Sequence, residues 1–324
     1  MPNYNGVWSL TTQYQYASDW NSDNPNPARG LFAGGSTGSL SNVIEFVVIA
    51  TEGDATDFGD LSGSGAVSGA SFSSSTRGVF AGGYTTARVD EIQYVTIATE
   101  GNTSDFGDLS AARNNLTGLS NSTRGVAGGG VSNSTANLDI MEYVTIASTG
   151  NMTDFGNLTV ARFSPTSFQS TTRGVFAGGE PSSGGGSNVM DYITIASTGN
   201  ATDFGDLEAI LVAATGVSNN TRGVVGAGYR GNSAYSNIMQ YVTIASTGNT
   251  TDFGDLNNTY GYGAGAAADP TRGLFAGGVN DSGKLNVIDF ITIASTGNAT
   301  DFGNLSSARQ QLFSGMVGSG HGGL

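Results

Sequence analysis

Cysteine is absent, and histidine and lysine occur once each, as His321 and Lys284. Without cysteine there is no disulfide framework and no thiolate metal site. One histidine, in the glycine-rich stretch GSGHGGL, leaves little for a Ser-His-Asp triad, whose base must be held rigidly beside its nucleophile. Basic residues are also scarce: 12 against 26 acidic ones, for a net charge of −14. Such a chain is poorly suited to nucleic acid, since phosphate backbones are gripped by Lys and Arg. The opening MPNYNGVWSLTTQYQY has neither a basic n-region nor an apolar h-region, and no run is long and apolar enough to cross a membrane. The expectation is a protein with no secretory signal and no membrane insertion.

Glycine is plentiful, at 51 of 324 residues, with no Gly-X-Y period. That argues for many tight turns and against long helices. The chain repeats itself six times. D-F-G recurs with Phe58, Phe106, Phe155, Phe204, Phe253 and Phe302, at spacings of 48, 49, 49, 49 and 49. T-R-G, or A-R-G in the first copy, recurs with Arg29, Arg77, Arg124, Arg173, Arg222 and Arg272. An aromatic recurs at Phe46, Tyr94, Tyr143, Tyr192, Tyr241 and Phe290. In the copy at 112–158 we read four strands: one around Arg113–Ser120, a short apolar run after Arg124, IMEYVTIAS, and a short strand holding Phe155 and Leu158. Four strands in about 49 residues is the arithmetic of a propeller blade, and a unit that small hardly buries a core unless it stacks on neighbours. The expectation is an all-β, six-bladed propeller.

FAGG at 32–35, 80–83, 176–179 and 275–278, the aromatic of EYVTIA, and Arg113, Arg162 and Arg309 at repeat openings resemble kelch repeats over about 28–318. The chain departs from that pattern at GVAGGG, at GVVGAG with Ala227 for the first glycine, and in carrying Phe where kelch has Trp. TRGVFAGG followed by YVTIASTGNATDFGDL, and the opening NYNGVWSLTTQYQ, resemble repeat proteins of marine tailed bacteriophages that are described as tail-fibre or virion structural proteins. This resemblance implies a non-enzymatic virion component, made in the host cytoplasm. Its partners would be other virion proteins or a host surface glycan or protein. The alternatives are an intracellular kelch-type interaction module and an enzyme acting on glycans through a carboxylate pair.

The first copy starts at its second strand, at Ala28-Arg29-Gly30, and SSARQQLFSGMVGSG after the last copy reads as a lone first strand. We therefore expect the C-terminal strand to complete the first blade and close the ring, removing its open edges. That divides the chain into an extension at 1–27, holding Trp8 and Trp20, a propeller at 28–318 and a glycine-rich tail at 319–324.

The once-per-copy aspartates Asp57, Asp105, Asp154, Asp203, Asp252 and Asp301 admit three readings. They bond the amides of their own turn, they pair with the six T-R-G arginines, or they bind calcium through G-N-x-T-D-F-G-D. No other cofactor is suggested. The joins between strands 1 and 2 and between strands 3 and 4 barely differ among copies, whereas the 2–3 and 4–1 joins differ greatly. In a meander the latter two share one face, and recognition tends to sit in variable loops on a rigid scaffold. Candidate binding residues on that face are Tyr84, Arg88, Phe163, Tyr229, Arg230, Tyr235, Tyr260, Tyr262 and Lys284.

Overall fold

A computed structural model describes residues 27–134, 136–230 and 234–324, so the N-terminal segment with Trp8 and Trp20 lies outside the described residues. The described residues form six small antiparallel sheets arranged as a six-bladed propeller, with no helix. The third blade is typical. Its strands are Thr117–Ser120, Arg124–Gly128, Ile140–Thr145 and Thr153–Asn157, hydrogen-bonded in that order from axis to rim. Arg113 is not in this sheet. It lies in a separate two-residue ribbon, Arg113–Asn114 with Val131–Ser132, because Asn115 takes a left-handed turn (φ 56°) before the first strand starts.

The D-F-G wording has a local cause. Pairing of the third and fourth strands steps from Glu142↔Asp154 to Met141↔Gly156, so Phe155 is the extra residue of a bulge. The same step recurs in all six blades. It turns the ring inward: all six phenylalanines are buried. Each meets the third-strand aromatic edge-on at 5.8–6.0 Å, a contact worth about 0.5–1.5 kcal/mol beyond burial. The following glycine sits at φ +138° to +151°, where a Cβ would lie 2.3–2.5 Å from a carbonyl oxygen of the next blade. Only glycine lets the blades approach this closely.

The ring closes through the C-terminus. Gly30 bridges Gly318, and the Leu31 amide donates to the Val317 carbonyl at 3.0 Å. This is the register that Gly125 and Val126 keep with Ser120 and Leu119 in the third blade. Val317 also fills the slot against Gly78 that Phe72, Leu119, Phe168, Val217 and Ala267 fill against the matching glycines of the other blades. The tail beyond it is not a loose appendage. Residues 319–324 fold across the axis at the end where the 1–2 turns lie. There the Gly322 amide donates to Ser218 and the Ser319 amide to Arg29.

Removing residues 312–324 is expected to leave the first blade without an inner strand and the axis open. The truncated chain should aggregate or unfold over a broad range in urea. Circular dichroism melts superimposing on those of the full chain would contradict the closure.

Candidate functional site

One end of the ring is uniform because its arginines, turn glycines and turn asparagines are used between blades. The T-R-G guanidinium lies 4.2–4.6 Å over the third-strand aromatic of its own blade. Its Nη1 donates to a carbonyl of the next blade: Arg29 to Ile97, Arg77 to Ile146, Arg124 to Ile195, Arg173 to Ile244, Arg222 to Ile293 and Arg272 to Ile49, at 2.8–3.2 Å. The last of these returns to the first blade. Beside each stack, the amide of the next blade's T-G-N-like turn glycine donates to the D-F-G phenylalanine carbonyl at 2.6–2.8 Å. The turn's Asn Oδ1 accepts the amide two residues beyond that phenylalanine, as in Asn102 with Asp60. At the sixth boundary Asp54 stands in for asparagine and faces Asn304, not a second aspartate.

These contacts correct the expected Arg–Asp pairing. Asp57, Asp105, Asp154, Asp203, Asp252 and Asp301 are all exposed. Among the described residues the T-R-G arginines form ion pairs only from Arg29 to Glu100 and from Arg272 to Glu52. The guanidinium face is taken by an aromatic ring and its edge by a carbonyl of the next blade, which leaves the aspartate across the outer strand out of reach. The asparagine oxygens of the suggested calcium loop are likewise committed to amides. No group of three or more His, Cys, Asp or Glu positioned to hold a metal occurs among the described residues.

The other end is individual. In every blade the 2–3 and 4–1 connections pair with each other, as in Tyr84↔Val67, Val131↔Asn114 and Tyr229↔Val212, so the two variable sets share one face. Beneath them lies a buried polar layer. Arg113 meets Glu142 at 2.6 Å, Arg162 meets Asp191 at 2.8 Å, and Arg309 meets Glu45. Burial lowers the pKa of all three arginines, and the paired carboxylate partly offsets this. Tyr260 takes the same place in the sixth blade and donates to Asp289 at 2.6 Å. Burial raises the Asp289 pKa, opposed by the hydrogen bonds that Tyr260 and Asn257 donate to it. Tyr260 is thus fully buried and no surface contact, which corrects its place among the binding candidates. Where the third strand carries Gln93 or Gln240 the arginine place holds Ala66 or Leu211, and Thr103 or Thr250 donates to the glutamine. Charge, partner and threonine change together from blade to blade.

Of the remaining candidates, Tyr229, Tyr235 and Tyr262 form one cluster, with ring centroids 5.8 and 5.5 Å apart. It stands on the strands Ala234–Thr243 and Thr251–Tyr260, at ten residues each the longest in the ring. Arg230 is exposed beside it in sequence. Tyr84 is 38% exposed on the second blade, and Arg88 there donates from Nε to Asn114 at 2.9 Å. Phe163 is half-buried opposite Glu180, and Lys284 is half-buried in a hairpin with Val279. Tyr84 and Lys284 do not join the tyrosine cluster. Sequence reasoning missed His321 as a structural group. It is buried at the axis, its Nδ1 accepting from Gly323 and Gln169 and its Nε2 donating to the Ser73 carbonyl at 3.1 Å. Burial pushes its pKa down to about 4, so it stays neutral.

No family model and no curated protein matches this chain.

Two outcomes follow from these packed groups. Arg162→Leu alone strands a buried carboxylate and should cost about 3–5 kcal/mol in urea unfolding. The triple change Arg162→Leu, Asp191→Gln, Ala201→Thr copies the fifth blade and should recover most of that loss. For His321, the unfolded side chain titrates near 6.5 and the folded one near 4. The unfolded state therefore takes up the proton first as pH falls. Stability is full above pH 6.5 and declines between 6.5 and 4, by about 3 kcal/mol. His321→Gln should remove that part of the difference between melts at pH 7.5 and 4.5, and an unchanged difference would contradict the assignment.

Proposed function

We propose that the chain is a non-enzymatic recognition scaffold, a closed ring that presents its variable face to a partner. We further propose that it serves as a tail-fibre-like appendage of a bacteriophage particle, meeting a host surface or another virion protein. The observation that carries the recognition reading is the division between the two ends. At the uniform end the repeated arginines and turn asparagines bond to neighbouring blades and the exposed aspartates recur identically, whereas the variable end places unrepeated tyrosines and arginines at the surface. Function on rigid scaffolds concentrates in such loops. The non-enzymatic reading draws on the chemistry already committed: the histidine is neutral and bonded on both nitrogens, and Glu45, Glu142 and Asp191 are each neutralised by an arginine. The virion assignment draws on the resemblance of TRGVFAGG and YVTIASTGNATDFGDL to the wording of phage repeat proteins.

Two experiments test the parts separately. Mass spectrometry of purified particles of the encoding virus should find the chain in the particle; its confinement to the soluble lysate would reject the virion assignment. Fluorescently labelled protein should attach to cells of the host bacterium, and Tyr229→Ala with Arg230→Ala should weaken attachment at least tenfold, whereas Asp105→Ala with Asp154→Ala on the uniform outer strands should not. The reverse pattern would reject the face assignment.

A further inference from the structure

The variable face has a centre. One residue of each 4–1 connection adopts the left-handed conformation: Ser68, Asn115, Ser164, Ala213, Tyr262 and Gln311, with φ between 42° and 60°. None is glycine, and such values are uncommon for other residues, a bulky tyrosine above all. The six connections bond to one another around the axis. Asn115 donates to Ser68, Ser164 to Asn115, Ala213 to Ser164, Gly263 to Ala213, Gln311 to Tyr262 and Ser68 to Gln311, at 2.7–3.3 Å. This closed circle of backbone bonds holds the strain in place and surrounds an axial pit. Leu116, Pro165 and Leu312 also line the pit. It holds about 40 Å³, room for little more than one water.

The rim is chemically distinctive. On a chain of net charge −14 the residues lining the pit offer hydroxyls, carboxamides and one phenol and carry no charge, and the Glu180 carboxylate lies within electrostatic reach of Tyr262. At one edge stands Tyr262, 42% exposed, its ring tilted 30° over Tyr229, which in turn meets Tyr235 edge-on. Gly261 makes room for this arrangement, since a Cβ there would fall 2.2 Å from the Tyr235 ring. The outer face of Tyr262 is therefore a held aromatic surface beside a ring of neutral hydrogen-bonding groups. A ligand that matches both must be uncharged, rich in hydroxyls and apolar on one face. A pyranose has this character: its axial C–H bonds form an apolar face, and its hydroxyls lie around the edge. Anionic ligands find no cation on this rim, and a flat protein surface cannot enter so narrow a pit.

We infer that the axial pit and the exposed face of Tyr262 form a binding site for a neutral saccharide, the sugar lying across the mouth with one hydroxyl directed inward. The ring stacks on Tyr262, and Asn115, Ser164 and Gln311 bond the hydroxyls. This site deepens, and rests on, the reading of the variable face as the recognition face.

The full chain, labelled, is applied to an array of neutral, sialylated and sulfated glycans. Neutral glycans should be retained. Tyr262→Ala should lower their apparent affinity at least tenfold, Tyr262→Phe should keep it within about twofold, and Asn115→Asp, which suits the left-handed backbone but adds charge, should lower it at least fivefold. Asp105→Ala, on the uniform outer strand of the second blade, should leave it unchanged. Retention of acidic glycans only, or neutral binding that survives both Tyr262→Ala and Asn115→Asp, would overturn the site. If no glycan is retained while the chain still attaches to host cells, the saccharide site falls and the recognition reading stands. If it attaches to neither, both fall.

Discussion

Everything in this molecule depends on the boundary between one blade and the next. A four-stranded sheet of about 49 residues has two faces to cover and cannot cover them itself. The repeated residues solve that one problem. An arginine lies on the aromatic of its own blade and reaches a carbonyl of the next. A bulged phenylalanine closes the other side of that aromatic. A glycine without a side chain lets the next turn lie against it, and that turn's asparagine holds the neighbouring amide. A guanidinium over an aromatic ring contributes about 0.5–2 kcal/mol according to its exposure, and each hydrogen bond about 1 kcal/mol net. No single contact dominates, but the set is repeated at six boundaries, the sixth joining the last blade to the first.

Closure gives those modest contacts their collective weight. An open row of blades would end in two exposed sheet edges. Here the segment around Val317 supplies the missing inner strand in the register of the other blades. The chain then continues into the axis, where its glycines fit against backbone: a Cβ on Gly323 would lie 2.0 Å from the Ser120 carbonyl oxygen. The single histidine finds polar partners on three different blades there, which offsets the cost of burying it. One end of the axis is thus stopped by the tail and the other by the circle of left-handed residues.

Much of this was legible in the sequence. Three markers repeated six times set the blade number, and the phase of the first copy pointed to the closing strand. Alternation between constant and variable joins separated the two ends. Equal copy number, however, does not reveal which repeated groups meet: arginine and aspartate matched in count, yet the arginine's partners are an aromatic beside it and a carbonyl one blade on. Tyr260 was misplaced because an exposed-loop composition, NNTYGYG, conceals a position that Arg113, Arg162 and Arg309 occupy in other copies. The signal was present in Asp289, a carboxylate at the third-strand position that Glu45, Glu142 and Asp191 also hold. The tail's place in the axis was not legible, because glycine-rich sequence suits a loose end and a tightly filled axis equally well.

The claim that all six boundaries act as one ring is tested most directly by native-state hydrogen exchange of the boundary amides of Gly53, Gly101, Gly150, Gly199, Gly248 and Gly297. Each donates across a boundary to a D-F-G phenylalanine carbonyl. If the ring is a single cooperative unit, all six exchange with one common protection factor, equal to that of global unfolding. A Gly53 amide that exchanges tenfold or more faster than the other five would show that the ring opens where the first and last blades meet, and would contradict the account.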